Sequence, residues 1–252
     1  MTSSSASMRT VFLGLPMASL SMEQAIDAVL RGCEATTFSY VVTPNVDHVV
    51  RLDKSRDNVD GRAFADAYAA AGLVLCDSRI LQRLAKLSGL SLPVVPGSDL
   101  TRVLLEDPRM AGRTVAIIGG SETLVASLQR CAPGIRLMQL RPPMNVLRNE
   151  VAVAEIEQFV AEQRADVVLF AIGAPQSEIA AHRCLYEGRS RGIGLCIGAS
   201  LEFIIGEKSR APRWVQHIGM EWAFRLGSEP RRLWRRYLVD GPRIFAIWAR
   251  QR

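Results

Sequence analysis

The chain of 252 residues contains no long apolar run. Its best stretch, residues 167–174, falls far short of the roughly 18 apolar residues that cross a bilayer as a helix, and reads as a buried strand. Residues 1–7 are serine-rich and lack the apolar core of a secretion signal. The expectation is a disordered tail, residues 1–8, on a protein kept in the cytoplasm. Cys33, Cys76, Cys131, Cys184 and Cys196 form no CxxC pair, and their odd number argues against a disulfide framework. His48, His182 and His217 stand far apart with no HExxH, which argues against a zinc site, and no metal is expected. No repeat and no long linker interrupts the chain.

What is present is an uneven charge. Of the formal +6, the segment from Lys208 onward carries eleven Lys or Arg against Glu221, Glu229 and Asp240, hence +8, leaving about −2 for everything before it. A near-neutral body with a basic tail implies that the tail meets something anionic.

Apolar strand-like runs alternate with helical patterns along the body. Ser21 and Gln24 have capping-box spacing before a helix that reaches residue 35. Strands are expected at 11–13, 38–43, 73–76, 114–118, 135–140, 166–172 and 193–197. Such alternation predicts an α/β fold, a mainly parallel sheet with helices on both faces. In such sheets ligands bind outside the carboxyl ends of the strands. Those ends carry Thr43-Pro44-Asn45, Asp77, Gly119-Gly120, Gly173-Ala174-Pro175 and Gly198.

Each of these has two readings. Asp77 can be a general base for a sugar hydroxyl or a helix N-cap. Thr43 and Asn45 can bind a substrate hydroxyl or form an Asx turn. Gly119-Gly120 can cradle a phosphate at a helix N-terminus or make a tight strand-to-helix turn; VAIIGGSETL is not GxGxxG, so a dinucleotide cofactor is not expected. Glu178 can contact a substrate or simply favour the first turn of a helix.

After Gly206 arginine, tryptophan and proline dominate, and three short helices are expected. Trp214, Ile218 and Trp222 repeat every four residues. Pro230 opens a second helix with Leu233, Trp234, Tyr237 and Leu238 on one face and Arg231, Arg232, Arg235 and Arg236 between them. Pro242 precedes a third with Ile244, Phe245 and Trp248 together. Arginine on one face and aromatics on the other suit an anionic bilayer surface. Basic patches with aromatics also suit nucleic acid, but no motif supports that partner and none is expected. The remaining reading is a hairpin with its aromatics packed on the body and its arginines solvated. An exposed amphipathic tail also offers a surface for self-association.

Together these motifs resemble the WecG/TagA/CpsF glycosyltransferase family, glycosyltransferase family 26, from about Val11 to Tyr237. The most specific part is Arg210-Ala-Pro-Arg-Trp214, Gly219-Met-Glu-Trp222, Arg225-Leu, Glu229-Pro-Arg-Arg and Arg235-Arg-Tyr237. Thr43-Pro-Asn45, Gly97-Ser-Asp99-Leu100, Gly119-Gly120 and Gly173-x-Pro175 match in order and spacing. The resemblance implies a Rossmann-like catalytic core over 9–206 and a membrane-associating appendage over 207–252. It implies inverting, metal-independent transfer of a hexose or N-acetylhexosamine from a UDP-sugar to a polyprenyl-diphosphate-linked sugar in surface or exopolysaccharide synthesis. UDP-sugar is then a substrate, no cofactor is needed, and the enzyme works peripherally on the inner face of the cell membrane.

By that likeness Asp77 occupies the place of the family's catalytic Asp. Thr43, Asn45, Gly97, Asp99, Gly119, Gly120, Pro175 and Glu178 are substrate-binding candidates, with Arg210, Arg225 and Arg231 neutralising the diphosphates. Two departures stand out. The family's Asp-Gly is here Asp77-Ser78-Arg79, which places a non-glycine residue where only Gly enters positive φ cheaply. The family's Pro-Lys-Gln-Glu is here Pro175-Gln176-Ser177-Glu178. They leave an alternative, a non-catalytic subunit that binds nucleotide-sugar or lipid.

Overall fold

A computed structural model of the chain describes residues 9–55, 58–198, 200–207, 211–212, 215 and 220–251, except the side chain of Glu221. Arg210, Trp214, His217, Ile218 and the expected tail 1–8 lie outside the described residues. The first strand, β1 (Arg9–Phe12), does not join the main sheet. It pairs antiparallel with β2 (Leu15–Ala18), a strand that the alternation did not reveal. The turn Leu13-Gly14 has φ of 52° and 75°, the doubly positive conformation of a tight hairpin.

The elements that follow are α1 (Met22–Cys33), β3 (Ser39–Val42), α2 (Val46–Lys54), α3 (Val59–Ala70), β4 (Leu73–Val74), α4 (Arg79–Leu87) and α5 (Gly97–Glu106). Then come β5 (Thr114–Gly119), α6 (Leu124–Cys131), β6 (Arg136–Leu140), α7 (Glu150–Gln163), β7 (Val167–Ala171), α8 (Gln176–Glu187), β8 (Ile193–Cys196) and α9 (Ser200–Ile204). The Ser21–Gln24 capping box forms as expected, with hydrogen bonds in both directions. Six strands make one all-parallel sheet in the order β4-β3-β8-β7-β5-β6.

Side chains alternate across that sheet because the strand period is two. Tyr40, Val42, Ala116, Ile118, Val168 and Phe170 point into one apolar layer. Val41, Val115, Ile117, Val167 and Leu169 point into the other. The first layer is covered by α2, α3, α4, α7 and α8, the second by α1, α5, α6 and α9. Burial on both faces explains why the strands read as continuous apolar runs. Each fully buried Ile or Leu adds roughly 1.5–3 kcal/mol relative to exposure.

Beyond residue 220 come α10 (Glu221–Ser228), α11 (Pro230–Trp234), a π-helical stretch Arg235–Asp240 and α12 (Arg243–Ala249). These helices are part of the packed body. Ile244 and Ile247 are buried in the same layer as Val49 and Val50 of α2. Arg250 pairs with Asp53 at 3.0 Å, Lys54 pairs with Asp240, and Trp248 Nε1 donates to Ser88 Oγ at 2.8 Å. The expected one-sided faces are therefore split. Leu233 is buried, Tyr237 is partly buried, and Trp234, Leu238, Val239 and Phe245 remain exposed. A π-helix takes more residues per turn than an α-helix, which rotates the residues after Trp234 away from the 3.6-residue stripe. No helix among the described residues is long and apolar enough to cross a membrane.

Candidate active site

Strand β4 ends at Val74, yet its backbone continues to track β3: Leu75 N–H donates to Val42 O at 2.9 Å and Asp77 N–H to Pro44 O at 3.0 Å. On the other side Val95 N–H donates to Cys76 O at 2.8 Å. Asp77 is thus held by backbone on both flanks at the carboxyl edge of the sheet. It does not cap α4. That role belongs to Ser78, whose Oγ accepts from Leu81 N–H at 3.3 Å with an extended backbone of φ −160°. The Ser in place of Gly therefore needs no positive φ, and the departure at 78 costs no backbone strain.

Asn45 combines its two readings. Its Oδ1 accepts from Asp47 N–H at 3.0 Å, capping α2, and its backbone N–H donates to His48 Nδ1 at 3.0 Å. It also lines a cavity of about 580 Å³. The walls of that cavity are built by Asn45, Asp47, Asp77, Arg79, Arg83 and Asp99 from the sheet edge. The roof comes from Met220, Trp222, Arg225, Arg236, Tyr237, Leu238 and Phe245 of the C-terminal helices. A cavity of this size accommodates a ligand of several rings. Asp47 is engaged by Arg51 at 2.8 Å and faces Arg236 at 3.5 Å. Arg225 lies 4.9 Å over the ring of Phe203 on α9. Trp222 and Tyr237 lie with ring centroids 6.2 Å apart.

Four sequence-predicted residues, Asn45, Asp77, Asp99 and Arg225, meet in this cavity. Thr43 is buried just beneath it, against Gly97, the first residue of α5. A Cβ on Gly97 would fall 2.7 Å from Thr43 Oγ1, closer than atoms tolerate. Gly97→Ala is therefore expected to lower turnover by about 10-fold or more through displacement of Thr43. Added to Thr43→Ala, the same change should cost little further, a non-additivity that a double-mutant cycle measures.

Gly119, Gly120, Pro175, Glu178 and Arg231 do not line the cavity. Gly119 and Gly120 have φ of 102° and 83° and make the tight turn leaving β5; a Cβ on Gly119 would meet Ala171 O at 2.8 Å. Here β5 leads to β6 on one side and β7 to β8 on the other, which makes the ends of β5 and β7 the topological switch point where such folds bind ligands. In the described structure the hydroxyls of Ser121 and Thr123 hold the carboxylate of Glu207 at 2.7 and 3.2 Å. Pro175 follows a cis peptide bond. Ser177 Oγ donates to Phe170 O at 3.1 Å, while the neighbouring Gln176 supplies a carboxamide, donating to Ile172 O at 3.0 Å. Arg231 is exposed, and Arg210 lies outside the described residues.

Glu178 is buried, with Oε1 3.7 Å from His48 Nε2. Burial raises its carboxyl to about 7 and lowers the His48 imidazole to about 4. Arg79, Arg83, Arg236, Trp222 and Tyr237 were not read as cavity residues from the sequence. Arg79 and Arg83 stand at i, i+4 on α4, so one helical face carries both. That spacing was the available signal; of the roof, Arg225 was reached through the family resemblance, whereas the approach of Trp222, Arg236 and Tyr237 to Asp77 is long-range and left no local signal.

An α/β protein with a ligand-sized cavity at the carboxyl edge of a parallel sheet belongs to a class that binds its ligands at that edge. Residues 10–252 match the model of the glycosyl transferase WecG/TagA/CpsF family, essentially the whole described chain. The chain belongs to that family and is a glycosyltransferase.

Proposed function

We propose that this glycosyltransferase moves one hexose or N-acetylhexosamine from a UDP-sugar to a polyprenyl-diphosphate-linked sugar, with inversion and without a metal, in surface or exopolysaccharide synthesis. The observation that carries this reading is the cavity itself: Asp77 shares it with Arg79, Arg83, Arg225 and Arg236, under a roof with Trp222, Leu238 and Phe245. In this reading Asp77 takes the proton from the acceptor hydroxyl as its oxygen forms a bond to the anomeric carbon from the face opposite UDP. The bond from the anomeric carbon to the diphosphate breaks, and UDP leaves with the electron pair. Arginines aimed at that leaving group stabilise the developing charge more effectively than water does, because they are already oriented. Arg79, Arg83 and Arg225 take this role in place of Arg231, which is exposed and lies outside the cavity.

The exposed Trp234, Leu238, Val239 and Phe245 stand beside the exposed Arg231, Arg235 and Arg243. That combination suits the interface of an anionic membrane, where the lipid-linked acceptor would reach the cavity past Leu238 and Phe245. The test is incubation with anionic vesicles, a polyprenyl-diphosphate-sugar analogue and a panel of UDP-sugars, reading UDP release and product mass. Acceptor-dependent UDP release with one sugar is expected. Binding of donor and acceptor with no release across the panel would instead identify a non-catalytic binding subunit.

A further inference from the structure

We propose that His48 and Glu178 form a buried positioning pair that sets Asn45 at the cavity wall. This rests on the reading of that cavity as the transferase site. Asn45 N–H donates to His48 Nδ1 at 3.0 Å, so the neutral ring must carry its proton on Nε2. Nε2 faces Glu178 Oε1 at 3.7 Å, and both side chains are largely shielded from solvent. At that separation the ring N–H lies within electrostatic reach of the carboxylate without a formed hydrogen bond. Here the ring in turn holds the backbone of a residue that lines the cavity.

The Asn45–His48 bond is also the return half of the capping box that opens α2, and such a cap needs no carboxylate behind the ring. Among the described residues, Glu178 Oε2 and the Tyr68 hydroxyl are buried without a hydrogen-bond partner. A carboxyl buried near Tyr68 and His48 is expensive in its ionised form. Retaining it there implies a use for its protonation change. The groups that bear on it are His48 and Arg51 from α2, Tyr68 from α3, Tyr40 from β3 and Cys196 from β8. Of these only Arg51 is a cation that favours the carboxylate. Glu178 therefore titrates at about 7, whereas His48 stays neutral down to about 4. Above pH 7 the carboxylate draws in the Nε2–H and seats the ring. Below pH 7 that pull is lost.

The experiment is ¹⁵N NMR of the histidine rings in the full chain between pH 5.5 and 8.5, beside kcat and acceptor KM for wild type and Glu178→Gln. The His48 ring signals are expected to inflect near pH 7 without becoming those of an imidazolium. The wild-type kcat should rise through the same pH. Glu178→Gln should remove both inflections and lower kcat at pH 8 by about 10- to 100-fold, the cost of small misplacement at a reacting centre. Folding is not at risk in this variant. A Glu whose folded pKa is raised destabilises the folded state as pH climbs from the unfolded value through about 7, so Gln should melt higher than wild type at pH 8 and no differently near pH 4. Flat His48 signals in wild type would overturn the pair, whether or not any sugar is transferred. Inflecting signals with unchanged kcat in Glu178→Gln would overturn the positioning role while leaving the transferase reading intact.

Discussion

Replacing Asp77 with Asn is expected to lower turnover by roughly 10²- to 10⁴-fold, the range supplied by a positioned general base. Asn has the same shape and can accept a hydrogen bond from the attacking hydroxyl, but it cannot take the proton. The backbone at Asp77 is tied to Pro44 O, and Cys76 O is tied to Val95 N–H, so the substitution leaves the loop in place. Ser78 continues to cap α4, so helix stability is untouched. UDP-sugar affinity should stay within a few-fold of wild type while acceptor-dependent UDP release collapses. Retained turnover would remove Asp77 from the role of base. Attention would then pass to Asp99 and Asp47, the other two acids that line the cavity.

A second large effect is expected at the C-terminal helices. Removing residues from Lys208 onward is not the right test, because it would strip Ile244 and Ile247 from the core and unfold what it is meant to probe. Surface substitutions separate the two. Changing Arg231, Arg235 and Arg243 to Ala and Trp234 and Val239 to Ser leaves every buried residue in place. Each arginine near an anionic bilayer contributes about 1 kcal/mol, and the buried apolar area adds a similar amount, so vesicle binding should weaken by on the order of 10³-fold. None of these five residues lines the cavity. Turnover on a soluble acceptor should therefore persist while turnover on the lipid-linked acceptor falls. Cosedimentation with anionic vesicles at low and high salt reads the effect; unaltered sedimentation would show that this surface is not the membrane contact.

The chain's local patterns determined most of the framework. Continuous apolar runs ending in Asp77, Gly119 or Gly173 marked strands of a doubly covered sheet, because strands buried on both faces have no polar alternation to show. Ser21-x-x-Gln24 announced α1 because its capping bonds span three residues and depend on nothing else. The expected element at residues 11–13 became half of a separate hairpin, since strand pairing is chosen by distant partners. Helix α5 passed unseen because Pro96 and Gly97 weaken its start and its apolar residues serve a core that only the fold assembles. The six-strand order was likewise invisible to local patterning.

The site divides in the same way. Asn45 and Asp77 were legible because they sit at or beside strand ends, where any parallel sheet collects its ligands; Asp99, on α5, was reached only through the family resemblance. The sequence motif joined them to Gly119, Gly120 and Pro175, but the fold sets those residues at the ends of β5 and β7, apart from the cavity. Glu178 shares their segment, yet α8 turns it inward to His48. Burial and direction of a side chain follow from what packs above it, which no local window contains. The same holds for Trp222 and Tyr237 of the roof, which share the cavity with Asp77 across some 150 residues of chain. Residue types and their order fixed what chemistry was available; only tertiary packing decided which of those groups share one cavity.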